Sequence, residues 1–129
     1  MSWLSRLRGI PHAAPEVLLD VECEDGCLIL VLINVGNRPA FEVRVDFDPP
    51  IVGLDGGKVI SDLSVFHRLQ LLRAGREIRV FLDSAPLFFA RGDAIRFEAS
   101  VSWRNRRGRV FSAKYPHDLE VYRDLVTRI

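Results

Sequence analysis

The sequence contains few of the residues from which metal sites and disulfide frameworks are built. Its 129 residues include two cysteines, three histidines and one methionine. Two cysteines are too few for a disulfide scaffold or a closed zinc site. The histidines, His12, His67 and His117, show no metal-ligand spacing. We therefore expect a domain that binds no metal and no cofactor.

Long apolar runs and an excess of one charge are also missing. The longest apolar run, residues 27–33, has seven residues, whereas a membrane-spanning helix needs about 20. Arg6 and Arg8 interrupt the start of the chain and no small-residue cleavage site follows, so we expect no secretory signal and a cytoplasmic location. A net charge of +1 argues against a protein that binds polyanions through its overall field.

The composition that remains is that of one globular domain. Hydrophobic residues make up 48% and charged residues 27% of the chain, and a chain of this length buries about two-thirds of its unfolded surface. Of the 18 basic residues, 16 are arginines. This bias fits GC-rich coding, and hence a bacterial origin, at least as well as any chemistry. We assign residues 16–129 to a single domain.

An amphipathic arm, residues 1–15, precedes this domain. Pro11 and Pro15 end any helix in the arm. Its apolar side chains, near helical spacing, are Trp3, Leu4, Leu7 and Ile10. With Arg6 and Arg8 between them, these side chains are candidates for contact with a membrane surface. The alternative is a turn that covers one end of the core.

From residue 16 onward the hydrophobic pattern is typical of β-strands. Residues 27–33 are continuously apolar, which predicts a central strand buried on both faces. Residues 41–47 alternate apolar and polar side chains, which predicts a strand with one buried face. Residues 94–103 repeat the alternation and place Trp103 on the inner face.

Other segments are less clear. Residues 63–72 fit a strand or a helix, and the strand-rich surroundings favour the strand. Residues 85–92 are expected to form an apolar loop around Pro86, and residues 119–122 are a candidate for a last strand. The whole pattern has about seven short strands with turn signals between them, which predicts an all-β fold, a single antiparallel β-sandwich.

Three motifs along the chain carry a resemblance to a known family. Residues 30–47, LVLINVGNRPAFEVRVDF, join two strands through an Asn-x-Gly-Asn-x-Pro-Ala loop. Residues 72–78, LRAGREI, form a Leu-x-x-Gly turn before a strand, and residues 101–115 form a late hairpin. These motifs resemble those of prokaryotic immunoglobulin-like domains, including the cell-adhesion-related bacterial and archaeal type. The resemblance covers roughly residues 16–122 and implies an immunoglobulin-like sandwich that acts as a non-catalytic interaction module.

Cys23 and Cys27 flank a predicted turn at Asp25-Gly26. In a two-residue turn, Cys27 opposes Glu24 and the two thiols point to opposite faces of the hairpin. In a three-residue loop, Cys23 opposes Cys27 and a cross-strand disulfide is geometrically conceivable. A cytoplasmic location favours two reduced thiols.

Arginines crowd the tip of the last predicted hairpin. The set is Arg104, Arg106, Arg107 and Arg109. Guanidinium groups bind carboxylates and phosphates, so the tip is a candidate site for an acidic protein or, with Trp103 stacking on a base, for a nucleic acid. The alternative is a solvated tip with Trp103 in the core.

A second candidate partner site is the apolar stretch Leu87, Phe88 and Phe89 in the predicted loop. Exposed apolar loops often mark protein contacts, and the alternative is that this stretch folds into one end of the core. The open edges of the sheets are a third route, because a strand from another subunit could add there.

No catalytic constellation is visible in the sequence. His67 and His117 have no neighbouring nucleophile in a recognisable motif, and residues 55–58 (DGGK) lack the spacing of a phosphate-binding loop. We therefore expect a non-enzymatic protein-protein interaction module without a small-molecule substrate, either an accessory subunit or a homo-oligomer in a bacterial cytoplasmic assembly. The alternatives are peripheral membrane association through the arm, and binding of a nucleic acid or acidic partner through the arginine tip.

Overall fold

The computed structural model of this chain describes residues 13–92 and 95–126. The strands in these ranges are β1 (Val17–Glu24), β2 (Cys27–Asn34), β3 (Ala40–Asp48), β4 (Val52–Gly53), β5 (Lys58–Val59), β6 (Leu69–Leu72), β7 (Glu77–Ser84), β8 (Arg96–Arg104) and β9 (Val110–Asp118). The helices are α1 (Ala85–Arg91) and α2 (Arg123–Val126), with 3-10 turns at Ile60–Asp62, Ser64–Phe66 and Leu119–Tyr122. Residues 1–12 of the predicted arm lie outside the described residues.

The strands pair into antiparallel sheets, as predicted. One sheet has the order β1-β2-β7, a second has the order β6-β3-β8-β9, and β4 pairs with β5 in a short separate ladder. Both larger sheets contribute side chains to one hydrophobic core, for example Leu30 from β2 and Val101 from β8. The prediction of an all-β, antiparallel fold is confirmed.

Two strand predictions follow the structure closely. In β2, the consecutive side chains of Leu30, Val31 and Leu32 are all buried, so this middle strand of its sheet is covered on both faces. In β3, apolar side chains point inward and alternate with exposed residues such as Arg44 and Asp46. The pattern of apolar residues in each strand therefore follows from which of its faces are buried.

The expected apolar loop at residues 85–92 is wrong, because residues 85–91 form helix α1. The Ser84 hydroxyl caps the helix by accepting a hydrogen bond from the Leu87 N–H at 3.3 Å. Pro86 lies in the first turn, where its missing N–H costs nothing, and Gly92 ends the helix with φ 74°. Ser84, Pro86 and Gly92 are therefore the signals in the sequence that mark this helix.

The strand favoured for residues 63–72 is wrong over its first half. Ser64–Phe66 is a 3-10 turn, and only Leu69–Leu72 pairs with β3. The fully buried Phe66 ring packs edge-on against Phe47, with ring centroids 4.9 Å apart. Burial of this one ring inside the core favours the turn over a continuous strand.

The candidate last strand at residues 119–122 is also wrong. Leu119–Tyr122 is a 3-10 turn, and the Asp118 carboxylate caps it by accepting a hydrogen bond from the Glu120 N–H at 3.0 Å. Leu119 is fully buried in the core. The cap and this buried contact end β9 and turn the chain away from the sheet.

Asn34, at the end of β2, is fully buried and uses the whole hydrogen-bonding capacity of its side chain. Its Oδ1 accepts hydrogen bonds from the N–H groups of Glu16 (3.2 Å) and Gly36 (3.0 Å). Its Nδ2 donates to the carbonyl groups of Arg38 (2.8 Å) and Leu72 (2.9 Å). One side chain thus joins the start of β1, the loop after β2 and the end of β6.

The rest of the Asn-x-Gly-Asn loop fastens the segment before β1. Asn37 Oδ1 accepts a hydrogen bond from the Ala14 N–H at 3.2 Å. Gly36 is required in this loop because a Cβ at that position would overlap the carbonyl oxygen of Ala14. The motif is therefore a device that holds residues 14–16 against the loop between β2 and β3.

β1 is an edge strand whose outward carbonyl groups are covered by side chains. The Val35 N–H donates a hydrogen bond to the Glu16 carbonyl at 2.8 Å, which shows which residues of β1 bond to β2. The backbone N–H and C=O groups of even-numbered residues point toward β2, and those of odd-numbered residues point away from the sheet. Four outward carbonyl oxygens in succession accept side-chain hydrogen bonds. The pairs are Pro15 with Trp103 Nε1 (3.2 Å), Val17 with Tyr115 Oη (2.8 Å), Leu19 with His117 Nε2 (2.8 Å) and Val21 with Tyr122 Oη (3.1 Å).

We call these four donors, Trp103, Tyr115, His117 and Tyr122, the edge clasp. Because they belong to β8, β9 and the turn that follows, the clasp ties one sheet to the other. It also occupies the carbonyl groups to which an incoming strand would donate its hydrogen bonds, so it closes the β1 edge. Burial and the nearby charge of Glu16 raise the pKa of Tyr115 to about 12, and burial also raises the pKa of Tyr122.

The Asn34 network predicts a large difference between two otherwise equal substitutions. Asn34→Asp replaces two buried N–H donors by a carboxyl oxygen that faces two carbonyl groups, so we expect a loss of about 3 kcal/mol in the free energy of unfolding. Asn37→Asp keeps the one acceptor that its exposed side chain uses, and we expect a change within about 0.5 kcal/mol. Urea denaturation monitored by fluorescence measures both, and equal losses would contradict this role of Asn34.

The clasp predicts an unusual alkaline titration, because the chain has two tyrosines and both belong to it. Because folding raises the pKa of Tyr115, its neutral side chain stabilises the folded state at pH values below the unfolded pKa near 10. This contribution to the free energy of unfolding is lost as the pH rises toward 12. In Tyr122→Phe, tyrosinate absorbance should therefore appear with a midpoint near 12 in the folded protein. A midpoint near 10 in folded protein would show that the Tyr115 hydroxyl is solvated.

Candidate functional site

Three loops at one end of the sheets carry an accumulation of arginines. They are residues 35–39, 73–76 and 105–109, and strand pairing places them together, since Ala40 is paired with Leu72 and Phe41 with Arg104. The arginines of this basic end are Arg38, Arg73, Arg76, Arg104, Arg106, Arg107 and Arg109. Within the described ranges, Arg104 is the only one of them in an ion pair, with Glu42 at 3.4 Å.

The hairpin tip at residues 105–109 is held in one conformation by Asn105. Its Oδ1 accepts hydrogen bonds from the N–H groups of Arg107 (3.0 Å) and Arg109 (2.9 Å). Its own N–H donates to the Arg109 carbonyl at 3.0 Å, and its carbonyl accepts from the Gly108 N–H at 2.9 Å. Gly108 adopts φ 86°, a left-handed conformation that glycine tolerates. The tip therefore presents its arginines from an ordered turn.

The arginines of the tip have different environments. Arg104 donates a hydrogen bond from Nη1 to the Gly108 carbonyl at 3.0 Å, which helps to hold the turn at residues 105–109. The guanidinium of Arg106 lies over the Phe41 ring, 5.4 Å from the ring centroid, and that of Arg109 lies 5.3 Å from the Phe111 centroid. Stacking on a ring leaves the edge of a guanidinium able to donate hydrogen bonds.

A cleft of about 410 Å³ opens between the hairpin tip, the loop after β2 and the segment that leads into β1. Its lining residues are Ala13, Pro15, Arg38, Pro39, Asn105, Arg106 and Arg107. We call it the basic cleft. One wall is formed by the segment before β1, and Trp103 and the loop that contains Asn34 support it, since they hold residues 14–16 in place. Three guanidinium groups around one cleft can bind carboxylate or phosphate oxygens.

Trp103 lies in the core, as the alternation of β8 predicts. Its side chain is 4% exposed and stacks on Phe111 with ring centroids 6.0 Å apart, while its Nε1 donates to the Pro15 carbonyl. It therefore supports the basic cleft from behind and offers no surface on which a base could stack.

The second predicted partner site, Leu87, Phe88 and Phe89, lies within helix α1, which buries two of the three side chains and exposes the other. Phe88 and Phe89 are buried in the core, so they are not free for a partner, whereas Leu87 is 47% exposed. The Arg123 guanidinium of α2 covers the Phe89 ring at 4.6 Å from its centroid. Because α1 follows β7 at the end of the sheets opposite to the basic cleft, the two predicted sites do not combine.

The turn after β1 settles the geometry of the two cysteines. Glu24 is paired with Cys27 and Cys23 with Leu28, so the turn has two residues, Asp25 and Gly26, both with positive φ. This is the alternative in which the thiols point to opposite faces, and both cysteines are free. Burial and the neighbouring Cys27 raise the pKa of the Cys23 thiol.

The predicted membrane contacts, Trp3, Leu4, Leu7 and Ile10, lie outside the described residues. Across residues 13–92 and 95–126 we find no helix long and apolar enough to span a membrane. In the same part of the chain, no group of three or more His, Cys, Asp and Glu side chains is arranged to hold a metal ion.

The two described histidines use one ring nitrogen each within the fold. His67 Nε2 lies 2.8 Å from the Ser61 carbonyl, and His117 Nε2 is bound to Leu19 in the clasp. His117 also lines a second cleft of about 460 Å³ together with Asp48, Phe97 and Asp118. Among the described residues, no carboxylate lies within hydrogen-bond distance of either imidazole.

Sequence reasoning found the hairpin tip but missed the other part of the site. Arg38, Arg73 and Arg76 are far from the tip in sequence and join it only through strand pairing. The lone signal available beforehand was that each lies in a predicted turn.

Comparisons with known proteins bear on the chain as a whole. No curated protein and no solved structure shows significant similarity to it. One family model matches residues 9–123, which include the basic cleft, the edge clasp and every strand described above. The chain therefore belongs to the family described as "Domain of unknown function (DUF8453)".

Proposed function

We propose that this chain is an immunoglobulin-like β-sandwich that works as a non-catalytic protein-interaction module. We also propose that it binds an acidic segment of a protein partner in the basic cleft. The observation that carries the proposal is the convergence of Arg38, Arg106 and Arg107 on one cleft without a carboxylate partner among the described residues.

The strand orders support the fold part of the proposal. A sheet of three strands, β1-β2-β7, faces a common core with a sheet of four, β6-β3-β8-β9. Consecutive strands cross between two sheets in this way in immunoglobulin-like sandwiches, whose loops cluster at the two ends. Loops on such a rigid scaffold are common sites of partner recognition, and the basic cleft is built from loops of this kind.

Electrostatics supports the choice of an acidic partner. The three arginines that line the cleft repel one another, and each gains a counter-charge when a carboxylate enters it. Planar guanidinium groups bind carboxylates with two parallel hydrogen bonds, which favours a defined pose over diffuse attraction. Because the tip is braced by Asn105, little order has to be imposed on binding.

The aromatic residues near the cleft favour a protein over a nucleic acid. Single-stranded nucleic acids are bound by stacking bases on exposed aromatic rings. Trp103 is buried, and guanidinium groups lie over the rings of Phe41 and Phe111. A carboxylate-rich peptide needs no such platform.

The proposal predicts that charge reversal at the cleft abolishes binding of an acidic peptide. Fluorescence anisotropy with a fluorescein-labelled Asp/Glu-rich peptide should show saturable binding to the wild type that weakens with added salt. Arg106→Glu with Arg107→Glu should weaken it by at least about tenfold.

The matched control is Arg44→Glu with Arg68→Glu, which changes the net charge equally on exposed arginines outside the basic end. It should retain most of the affinity. Equal losses in both double variants would reduce the effect to overall charge and contradict a specific cleft. Tighter binding of single-stranded DNA than of the peptide would overturn the choice of a protein partner.

A further inference from the structure

The four sheet edges differ in how well they are protected. The β1 edge is covered by the clasp. On β7, the Leu82 carbonyl accepts a hydrogen bond from the Leu54 N–H at 2.9 Å, so the loop around β4 covers one end of that edge. A second copy adding at the rest of β7 with Arg79 at the centre of the joint would place two Arg79 side chains opposite each other. β6 has four residues, which leaves β9 as the longer edge that no described residue covers.

The outward backbone groups of β9 can be identified from the hydrogen bonds at its two ends. Asn105 N–H donates to the Arg109 carbonyl at 3.0 Å, and Leu119 N–H donates to the Ile95 carbonyl at 2.7 Å. The backbone N–H and C=O groups of odd-numbered residues of β9 therefore bond to β8, and those of even-numbered residues point away from the sheet. The side chains of Val110, Ser112 and Lys114 are all exposed.

Two residues that commonly protect edges do not close this stretch of β9. Pro116 has no N–H, so it ends the open stretch without blocking residues 110–114. Lys114 is drawn across the sheet face toward Glu98, with Nζ 3.9 Å from Oε1. The stretch that remains open is residues 110–114, with Ser112 at its middle.

We propose that two copies of this chain pair through β9 in an antiparallel, two-fold symmetric joint centred on Ser112. In this register the outward N–H and C=O groups of Val110, Ser112 and Lys114 are all satisfied by the second copy. Val110 lies opposite Lys114 of the second copy on one face, and Phe111 lies opposite Ala113 on the other. The exposed Val110 and the half-buried Phe111 both gain apolar cover.

Two neighbouring registers, centred on Lys114 and on Ala113, are worse on the same criteria. Centring the joint on Lys114 opposes two ammonium groups and brings Pro116 into the ladder. Centring it on Ala113 pairs Val110 with Pro116, which has no N–H to donate. The positions of Lys114 and Pro116 therefore favour the Ser112 register over these two.

Charge selects the antiparallel orientation. A parallel joint would bring the two arginine tips side by side. In the antiparallel joint centred on Ser112 they extend in opposite directions from the paired residues 110–114. The Cα atoms of the two Arg109 residues, six positions apart along the ladder, are then about 20 Å apart, where salt screens their repulsion. This inference does not depend on the proposed function, because Ser112 is no part of the basic cleft.

Sedimentation equilibrium over a range of protein concentrations tests the joint. The wild type should show a reversible monomer–dimer equilibrium. Ser112→Pro removes an N–H that β8 does not use, so the monomer should keep its strand signal in circular dichroism while the dimer dissociation constant rises at least about tenfold. Ser112→Ala keeps the N–H and should dimerise like the wild type.

A disulfide test fixes the register independently of stability, with Cys23 and Cys27 replaced by alanine. Ser112→Cys should give an oxidised dimer, since directly opposed Cα atoms lie about 5.5 Å apart. Ser102→Cys, one strand further in on the same face, should not, because about 14 Å would separate the two Cα atoms. A wild type that stays monomeric, or a dimer unaffected by Ser112→Pro, would overturn the proposal.

Discussion

The structure depends on hydrogen bonds that side chains of one sheet donate to the edge strand of the other. The outward carbonyl groups of β1 would otherwise be left without partners next to the core. Tyr115 and His117 supply donors at consecutive inward positions of β9, and Trp103 and Tyr122 extend the series at both ends. The spacing works because the inward side chains of β9 and the outward carbonyl groups of β1 share a period of two residues. The clasp thus joins the sheets, closes one edge and fixes where the chain enters β1.

The basic cleft is a consequence of that arrangement. Trp103 and Asn34 hold the segment before β1 from two sides, and the held segment forms one wall of the cleft. The opposite wall is the hairpin tip, which Asn105 keeps ordered. Stability and the proposed recognition site therefore rest on some of the same residues. At the other end of the molecule, by contrast, arginines such as Arg91 and Arg123 are paired with carboxylates.

Much of the fold could be predicted because burial alone produces the patterns of β2, β3 and β8. The errors came where a local signal competed with that pattern: the Ser84 cap and Pro86 in α1, and the burial of Phe66 in the turn before β6. The hairpin tip was visible in sequence as a run of arginines. Its connection to Arg38 was not, because strand pairing brings together loops that are far apart in the chain.

The central claim, that an acidic protein segment occupies the basic cleft, is tested most directly by photo-cross-linking in the native host. A photoactivatable residue would replace Arg107 in one protein and Lys58, an exposed residue of β5 outside the cleft, in another. We predict that position 107 captures a defined protein whose cross-linked peptide is rich in aspartate and glutamate, and that position 58 does not. The same products from both positions, or nucleic acid alone from position 107, would contradict the account.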